Sequence, residues 1–307
     1  MMMKKTILGI IALCSMTISH ALEVKFEAVA QGVYAHIGDI GGRTAENEGL
    51  NANIGLVVTP AGAVLIDSGA SYASAKAIHE AVKRITPQPV RWVINTGGQD
   101  HRWLGNGYFK EQGAEVISHA AAAADMRVRS GDQLAALRPI LGDKLQGTVP
   151  VYPVRVVDTN DLRMDFGGRT VELLNRGGGH TPGDMMVWLP DVKVLFSGDI
   201  IYVDRLLAVI PVSNTRLWLV AFAEVEKLQP LRIVPGHGRV TELATAKAHT
   251  QVYLQALRAH MKDAVERYED ISQSVLRFDL SPFKTLANAD ELHPGNASRT
   301  YLEVERE

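Results

Sequence analysis

Four short segments of the sequence each place a histidine or an aspartate directly after an apolar run of strand length. They occupy residues 95–101, 177–184, 196–199 and 234–238, and each contains glycine. Glycine turns at strand ends allow loops to converge on one edge of a sheet, where a site is backed rigidly and open to solvent. The pattern therefore predicts a sheet-based fold with a polar site at the strand ends.

The spacing of apolar residues divides most of the chain into short strands and longer helices. Each half contains several β-branched runs followed by stretches with helical periodicity. Strand-rich halves that each end in helices predict two sheets packed face to face with helices outside, a four-layer αββα sandwich of the α/β (α+β) class. The predicted strands cover residues 33–37, 54–59, 64–66, 90–95, 116–118, 154–157, 170–174, 185–189, 194–196 and 232–234, and the predicted helices cover residues 71–85, 120–128, 215–227 and 243–269.

The N-terminus has the features of a secretory signal peptide. A basic start precedes an apolar run over residues 6–17, and Ala21 completes a small-x-small cleavage pattern. A membrane anchor is the alternative, but the apolar run is about a dozen residues long, whereas roughly 20 are needed to span a bilayer. We therefore expect cleavage after Ala21, export to the periplasm and no stable membrane anchor.

The remaining chain, residues 22–307, contains no long linker, repeat or low-complexity tract. One large α/β domain accommodates a chain of this length. The sequence therefore predicts a signal peptide over residues 1–21, followed by a single domain with a helical extension at its C-terminus.

Cleavage would remove Cys14, the single cysteine of the sequence. Any metal in the mature protein must then be held by histidine, aspartate or glutamate. The 32 lysines and arginines against 34 aspartates and glutamates give a mildly acidic balance without a basic patch. This composition argues against nucleic acid as a partner and leaves a small-molecule substrate as the expected one.

The polar residues of the four segments form a ligand set suited to zinc. Zinc binds neutral imidazole and carboxylate oxygen, and a catalytic zinc keeps one position for water, whose pKa falls towards about 7. Any one of these residues alone is more often a surface or turn residue, but four such segments in one chain indicate a metal site. The candidate ligands are Asp100, His101, His180, Asp199 and His237.

These segments, together with Asp67-Ser68-Gly69, resemble the metallo-β-lactamase superfamily over residues 33–240. The resemblance implies the αββα sandwich, a zinc centre where the two sheets meet, and hydrolysis of an ester, amide, thioester, lactone or sulfate bond. It also implies that His180 completes the first metal position and that Asp199 bridges both positions. His237 then belongs to the second position, and Asp67 is the buried aspartate that orders the loops behind the metal.

The loop at residues 95–106 departs from the family motif Asn-Thr-His-x-His-x-Asp-His-x-x-Gly-Asn. Here it reads Asn-Thr-Gly-Gly-Gln-Asp-His-Arg-Trp-Leu-Gly-Asn, with neither of the first two histidines. Aligning Asp100-His101 with the Asp-His pair of the motif requires a shift of one residue and preserves the second metal position. Since Gly97 and Gln99 replace the histidines of the first, we expect one or two zinc ions, with a mononuclear site favoured.

Two motifs resemble a narrower group. The unusual loop at residues 97–106 and the C-terminal stretch at residues 293–303 are similar to exported quinoprotein relay system zinc metallohydrolases, which are associated with periplasmic alcohol oxidation. A helix packed on the body is the plainer interpretation of the C-terminal stretch. The residues flanking the ligand loops are candidates for substrate contact, with core or rim packing as the alternative. They are Gln99, Arg102, Trp103 and Tyr202.

The leading hypothesis is a zinc hydrolase in which metal-bound hydroxide attacks an ester, lactone, thioester or amide bond in a periplasmic quinoprotein pathway. Asp100 is the candidate catalytic residue that orients the water or accepts its proton. The alternative is a catalytically degenerate periplasmic binding or accessory protein on the same fold. A third hypothesis is a redox or sulfur-handling iron enzyme, because the same ligands suit iron.

Overall fold

The computed structural model describes residues 22–307, so the predicted signal peptide lies outside the described residues. Two sheets form the centre of the fold. In the first, the strand order follows the chain, and β4 to β7 are parallel. Its strands are β1 (Glu27–Ala30), β2 (Val33–His36), β3 (Ile54–Thr59), β4 (Gly62–Ile66), β5 (Val90–Ile94), β6 (Glu115–His119) and β7 (Arg155–Val157).

The second sheet has five strands in the order β12-β11-β10-β9-β8, and β11 with β12 is its parallel pair. Its strands are β8 (Asp161–Asp165), β9 (Thr170–Asn175), β10 (Met185–Leu189), β11 (Val194–Tyr202) and β12 (Arg232–His237). The helices are α1 (Tyr72–Ile85), α2 (Asp100–Trp103), α3 (Asn106–Glu111), α4 (Ala120–Leu141), α5 (Thr215–Leu228), α6 (Leu243–Ala246), α7 (Val252–Glu266), α8 (Ile271–Arg277) and α9 (Ala289–Val304).

The sheets pack face to face through one apolar core. Ile66 and Ile94 of the first sheet belong to the same buried cluster as Val187 and Phe196 of the second. Alternating side chains on each strand supply the two inner faces of such a sandwich. Helices α1 and α3 cover the outer face of the first sheet, and α5, α7 and α9 cover that of the second. The predicted αββα sandwich is confirmed.

Local signals explain where α1 begins and ends. The side chain of Ser71 accepts from the backbone N–H of Ser74, and the Ser74 hydroxyl accepts from the backbone N–H of Ser71, which makes a reciprocal N-terminal cap. Lys83 and Arg84 in the last turn complement the negative end of the helix dipole. Among residues 22–307 no helix combines the length and apolarity needed to cross a bilayer.

Strand β11 runs further than the predicted strand at residues 194–196 and carries Asp199 within it. Its pairing with β12 is irregular around Gly198, which has a φ of +51°. A Cβ at this glycine would lie 2.5 Å from Oγ1 of Thr96. The bulge therefore brings β11 against the loop after β5, which juxtaposes site residues from both sheets.

Two predicted helices have different extents in the structure. The helix predicted at residues 120–128 continues to Leu141. The helix predicted at residues 243–269 is divided into α6 and α7 by a π-helical turn over Lys247–Gln251. At this turn, the hydroxyl of Thr250 donates to the backbone carbonyl of Tyr202 and accepts from its N–H, which ties the helix to the end of β11.

Candidate metal centre

Three of the predicted ligands come together around one carboxylate. Nitrogen and oxygen atoms of His101, Asp199 and His237 all lie within 4.8 Å of one another. Nε2 of His101 is 3.2 Å from Oδ2 of Asp199, and Nε2 of His237 is 3.3 Å from Oδ1. Nε2 of His180 is 4.0 Å from Oδ2. We call these four buried residues the Asp199 cluster.

The hydrogen bonds of His180 and His237 fix their tautomers. Nδ1 of His180 lies 2.8 Å from the carbonyl oxygen of Ala208, and Nδ1 of His237 lies 2.8 Å from that of Asn51. A carbonyl only accepts, so each Nδ1 carries the proton and donates it. Burial lowers the pKa of His180 to about 4 and that of His237 well below its usual value, so both rings are neutral at pH 7.

Because Nδ1 carries the proton in both rings, each Nε2 has a lone pair, and this lone pair faces the carboxylate of Asp199. Hydrogen-bond acceptors on the rings therefore face an acceptor on Asp199, with no proton between them. Such an arrangement is unfavourable without a cation between the atoms. Zinc is bound by imidazole nitrogen and carboxylate oxygen at about 2.0–2.2 Å, and the second imidazole nitrogen of a zinc ligand almost always donates to a carbonyl or carboxylate. The donor set and its surroundings therefore fit a divalent transition-metal ion.

His101 has the opposite tautomer. Its Nδ1 lies 2.8 Å from Nη2 of Arg43, which can only donate, so Nε2 carries the proton and donates to Asp199. The carboxylate of Asp100 lies 3.3 Å from the same Nδ1. For His101 to bind a cation through Nε2, its proton must move from Nε2 to Nδ1. The carboxylate of Asp100 is placed to accept a hydrogen bond from Nδ1 in that state.

Asp100 is predicted as a ligand from the sequence, but the structure does not bring it into the Asp199 cluster. Its carboxylate contacts Nη2 of Arg43 and the backbone N–H of His101 instead. Burial opposes its ionisation, but Arg43 and the contacts with His101 outweigh burial and hold the pKa of Asp100 below its usual range. Asp100 is thus an ionised carboxylate behind His101, because consecutive residues of a helix point about 100° apart.

Arg102, a candidate for substrate contact, is buried and does not line the cavity at the Asp199 cluster. Its Nη2 and Nε donate to the two oxygens of Asp199 at 2.5 and 3.1 Å, and its Nη1 donates to Asp67 at 2.9 Å. Gly236 permits this contact, since a Cβ there would lie 2.5 Å from Asp199 and 2.6 Å from Arg102. Arg102 lowers the pKa of Asp199 well below its usual value despite burial.

Asp67 lies behind the cluster, as the sequence predicts. Besides the contact with Arg102, it accepts from the backbone N–H of Thr96 at 2.7 Å and from the Thr96 hydroxyl. Burial raises the pKa of Asp67, while Arg102 and these hydrogen bonds act in the opposite direction. This carboxylate therefore joins the loop after β4 to the loop after β5.

The place of the missing histidine at Gly97 is filled by other groups. A Cβ on Gly97 would lie 2.6 Å from Oδ1 of Asp184 and 3.1 Å from Oγ1 of Thr181. The side chain of Gln99 is turned towards Arg129, whose Nη1 donates to it at 3.2 Å. Around the first metal position of the family motif, the described residues thus offer only His180 and Asp199.

The Asp199 cluster opens into a small cavity of about 100 Å³. Tyr202 lines it and stacks on His237 with ring centroids 4.7 Å apart. Trp103 does not line it, because its fully buried indole donates to the carbonyl of Gly98 and to Gln133. The lining residues are Arg43, Asn51, Gln99, His101, His180, Tyr202, Arg205, Ala208, Ile210 and His237.

The C-terminal helix positions one candidate ligand, His180, indirectly. Asn296 accepts from the backbone N–H of Val209 at 2.7 Å and donates to the carbonyl of Leu207 at 2.7 Å. Arg299 donates to the carbonyl of Val209 at 2.6 Å. These bonds hold both neighbours of Ala208, whose carbonyl accepts from His180.

Sequence reasoning missed Arg43, Asn51 and Arg205. The one available signal was the length of the glycine-rich loop at residues 38–53, which carries the first two. The structure brings this loop over the Asp199 cluster: Gly41 accepts hydrogen bonds from both Asn51 and Arg205 through its carbonyl.

Comparisons with known proteins agree with this architecture. The model of the metallo-beta-lactamase superfamily matches residues 47–237. A metallo-beta-lactamase type 2 from Bacillus cereus is 28% identical over 212 residues, which cover 68% of this chain and 73% of the relative. One from Bacillus sp. (strain 170) is 26% identical with the same coverage.

Solved structures share the fold. A metallo-beta-lactamase from Pontibacter korlensis superposes with a TM-score of 0.62 at 22% identity, covering 76% of this chain and 99% of that one. The DIM-1 metallo-beta-lactamase exposed to ceftazidime gives a TM-score of 0.58 at 18% identity, covering 77% and 98%.

Asp184 gives a pH-dependent prediction. Burial raises its pKa to about 7, above about 4 in an unfolded chain. Between these values the folded state keeps a proton that the unfolded chain has released, so the free energy of unfolding falls as pH rises. We expect the metal-free wild type to lose up to about 4 kcal/mol from pH 4 to 8 relative to Asp184→Asn. Urea denaturation at each pH measures the free energy of unfolding. Asp132→Asn, on the exposed face of α4, is the control and should follow the wild-type pH profile. Parallel pH profiles for wild type and Asp184→Asn would contradict the prediction.

Proposed function

Because the chain belongs to the metallo-beta-lactamase superfamily, we propose that it is a zinc-dependent hydrolase that holds one ion at the Asp199 cluster. Members of this superfamily are metal-dependent hydrolases that act on small molecules. The observation that carries the proposal is the pair of neutral imidazoles whose Nε2 lone pairs face an ionised carboxylate. The proposed ligands are His101, His180, Asp199 and His237.

Two features favour one ion over two. The side chains that would complete the first metal position are absent, and Asp184 and Thr181 fill the space beside Gly97. Both oxygens of Asp199 already accept hydrogen bonds from the Arg102 guanidinium. A carboxylate that bridges two divalent ions beside this buried cation would bring three positive centres together, which is electrostatically unfavourable.

When bound, zinc supplies a Lewis acid and an activated water molecule for attack on an ester, lactone, thioester or amide bond. Among the residues of the chain, the carboxylate of Asp100, 3.3 Å from Nδ1 of His101, would hold the proton there once it has moved from Nε2, and would so free Nε2 for the ion. The carbonyls of Asn51 and Ala208 already hold the Nδ1 protons of His237 and His180. The narrow cavity restricts access of bulk water to the reacting bond.

Metal content and hydrolysis test this function together. We expect one zinc per chain by mass spectrometry and hydrolysis of simple phenyl esters that stops when a chelator removes the metal. His237→Ala removes one neutral ligand and should lower zinc affinity at least tenfold and abolish turnover. His260→Ala in α7, whose Nε2 contacts the carbonyl of Ser274, is the matched control and should behave as wild type. A folded protein that binds no zinc would rule out the proposal and favour an accessory binding protein.

Export to the periplasm and a role in a quinoprotein pathway are parts of the same proposal. The basic start, the short apolar run and the cleavage pattern ending at Ala21 support export. The C-terminal stretch and the loop at residues 97–106 support the pathway by their resemblance to relay-system hydrolases. We expect protein recovered from the periplasmic fraction to begin at Leu22; a mature protein that retains residues 1–21 would contradict export by cleavage.

A further inference from the structure

The loop that joins β11 to α5, residues 203–214, holds His180 through both its ring and its backbone. The carbonyl of Ala208 accepts from Nδ1 of the ring at 2.8 Å. The hydroxyl of Ser213 donates to the backbone carbonyl of His180 at 2.7 Å. The position of this ring beside Asp199 therefore depends on the path that the loop takes.

Helix α9 supplies the bonds that fix the middle of this loop. Residues 206–210 belong to no helix or strand, so their backbone groups need partners from elsewhere in the chain. The side chain of Asn296, which is 1% exposed, accepts from the N–H of Val209 and donates to the carbonyl of Leu207, both at 2.7 Å. One amide therefore bonds the groups on either side of Ala208.

An asparagine suits this place because its amide combines a donor and an acceptor. The N–H of Val209 only donates and the carbonyl of Leu207 only accepts, so their common partner must do both. An aspartate carboxylate only accepts, and an alanine side chain does neither. The chemistry of the two backbone groups therefore selects an amide at position 296.

The bond to Val209 sets the direction of the Ala208 carbonyl. The N–H of Val209 and the carbonyl of Ala208 belong to one peptide group, which is planar and trans, so the two point in opposite directions. Asn296 holds the N–H from one side, and the carbonyl then faces His180 on the other. A chain of two hydrogen bonds through one peptide plane thus runs from α9 to the candidate ligand.

Other residues of α9 hold the same loop. Arg299 donates to the carbonyl of Val209 at 2.6 Å. Glu303 accepts at 2.9 Å from the N–H of Thr215, where the loop joins α5. These two residues and Asn296 are three and four positions apart, a spacing that places them on one face of a helix. This face of α9 is therefore built against the loop from its middle to its end.

We propose that Asn296 is a positioning residue for metal binding, which keeps the proton of His180 on Nδ1 through Ala208 and leaves Nε2 free for the ion. The inference rests on the proposed function, in which His180 is a ligand. Without the carbonyl the ring is free to carry its proton on Nε2, and that nitrogen then has no lone pair for a cation. Nε2 of His180 lies 4.0 Å from Asp199, farther than the Nε2 atoms of the other two histidines, so the carboxylate alone does not fix it.

The zinc affinity of the full chain measures this role. Asn296→Ala should bind zinc about tenfold more weakly than wild type in competition with a chelator, because loss of a group that orients a ligand costs roughly 10–100-fold in metal affinity. Tyr301→Phe is the matched control, since it removes a hydrogen bond of α9 that goes to the carbonyl of Glu269 and not to the loop. It should bind zinc as wild type does. Equal zinc affinity in wild type and a folded Asn296→Ala, or an equal loss in Tyr301→Phe, would overturn the proposal.

Arg299→Ala tests the same loop from the surface and keeps the proposal testable if Asn296→Ala does not fold. Arg299 is exposed, and its bond to Val209 holds the residue after Ala208. Arg299→Ala should weaken zinc binding severalfold, whereas Arg299→Lys keeps a donor for this carbonyl and should restore wild-type affinity. Equal affinity in wild type and both variants would count against a loop positioned by α9.

Nuclear magnetic resonance of the metal-free protein separates this inference from the proposed function, because it requires neither zinc nor turnover. Proton–nitrogen correlation spectra of the imidazole rings should place the proton of His180 on Nδ1 in wild type and show a population with the proton on Nε2 in Asn296→Ala. His237, whose Nδ1 faces the carbonyl of Asn51, should keep its proton on Nδ1 in both proteins. An unchanged His180 would contradict the inference. If the proton moves in Asn296→Ala but wild type binds no zinc, the proposed function fails while Asn296 keeps its role at His180.

Discussion

The Arg102 guanidinium, buried between Asp67 and Asp199, is the interaction on which the site depends. It joins the loop after β4, the start of α2 and the bulged strand β11, which come from two different sheets. Its other bonds go to the carbonyls of Asn53 and Gly236. Removing one member of a buried charge network typically costs about 3–5 kcal/mol, because it leaves the other charges unpaired.

This buried cation also determines what Asp199 can do. With Arg102 on one side, the carboxylate is ionised and oriented, and its open side faces the histidines. Two neutral imidazoles with fixed tautomers complete the pocket that we propose holds one divalent ion. The same arrangement disfavours a second ion, and the groups beside Gly97 leave no space for the side chain that would bind it.

The fold and the grouping of most candidate site residues could be predicted from the sequence, because both depend on short-range patterns. Apolar runs of strand length gave the two sheets, and glycine turns at their ends marked His101, His180 and His237. Asp199 was predicted as a ligand from the sequence and lies at the centre of the cluster, although the bulge at Gly198 that keeps it within β11 is a tertiary feature. Such a feature depends on contact with Thr96 in the loop after β5, which local sequence does not encode.

The sequence failed where helix geometry or a distant loop decides which atom faces the site. A shifted alignment placed Asp100 and His101 together at the metal, but consecutive residues at the start of α2 point in different directions. The unshifted alignment sets His101 at the aspartate of the family motif and Arg102 at its last histidine, in agreement with the observed contacts. Arg43 and Arg205 meet the site only through the path of long loops.

We propose that the Asp199 cluster binds one ion through imidazole nitrogen and a carboxylate backed by Arg102. X-ray absorption spectroscopy of the zinc-loaded protein measures this coordination. We expect nitrogen and oxygen ligands at about 2.0–2.2 Å, with scattering from three imidazole rings and no metal neighbour. A zinc–zinc distance of about 3.5–4 Å would reveal a two-metal centre and rule out the single-ion site.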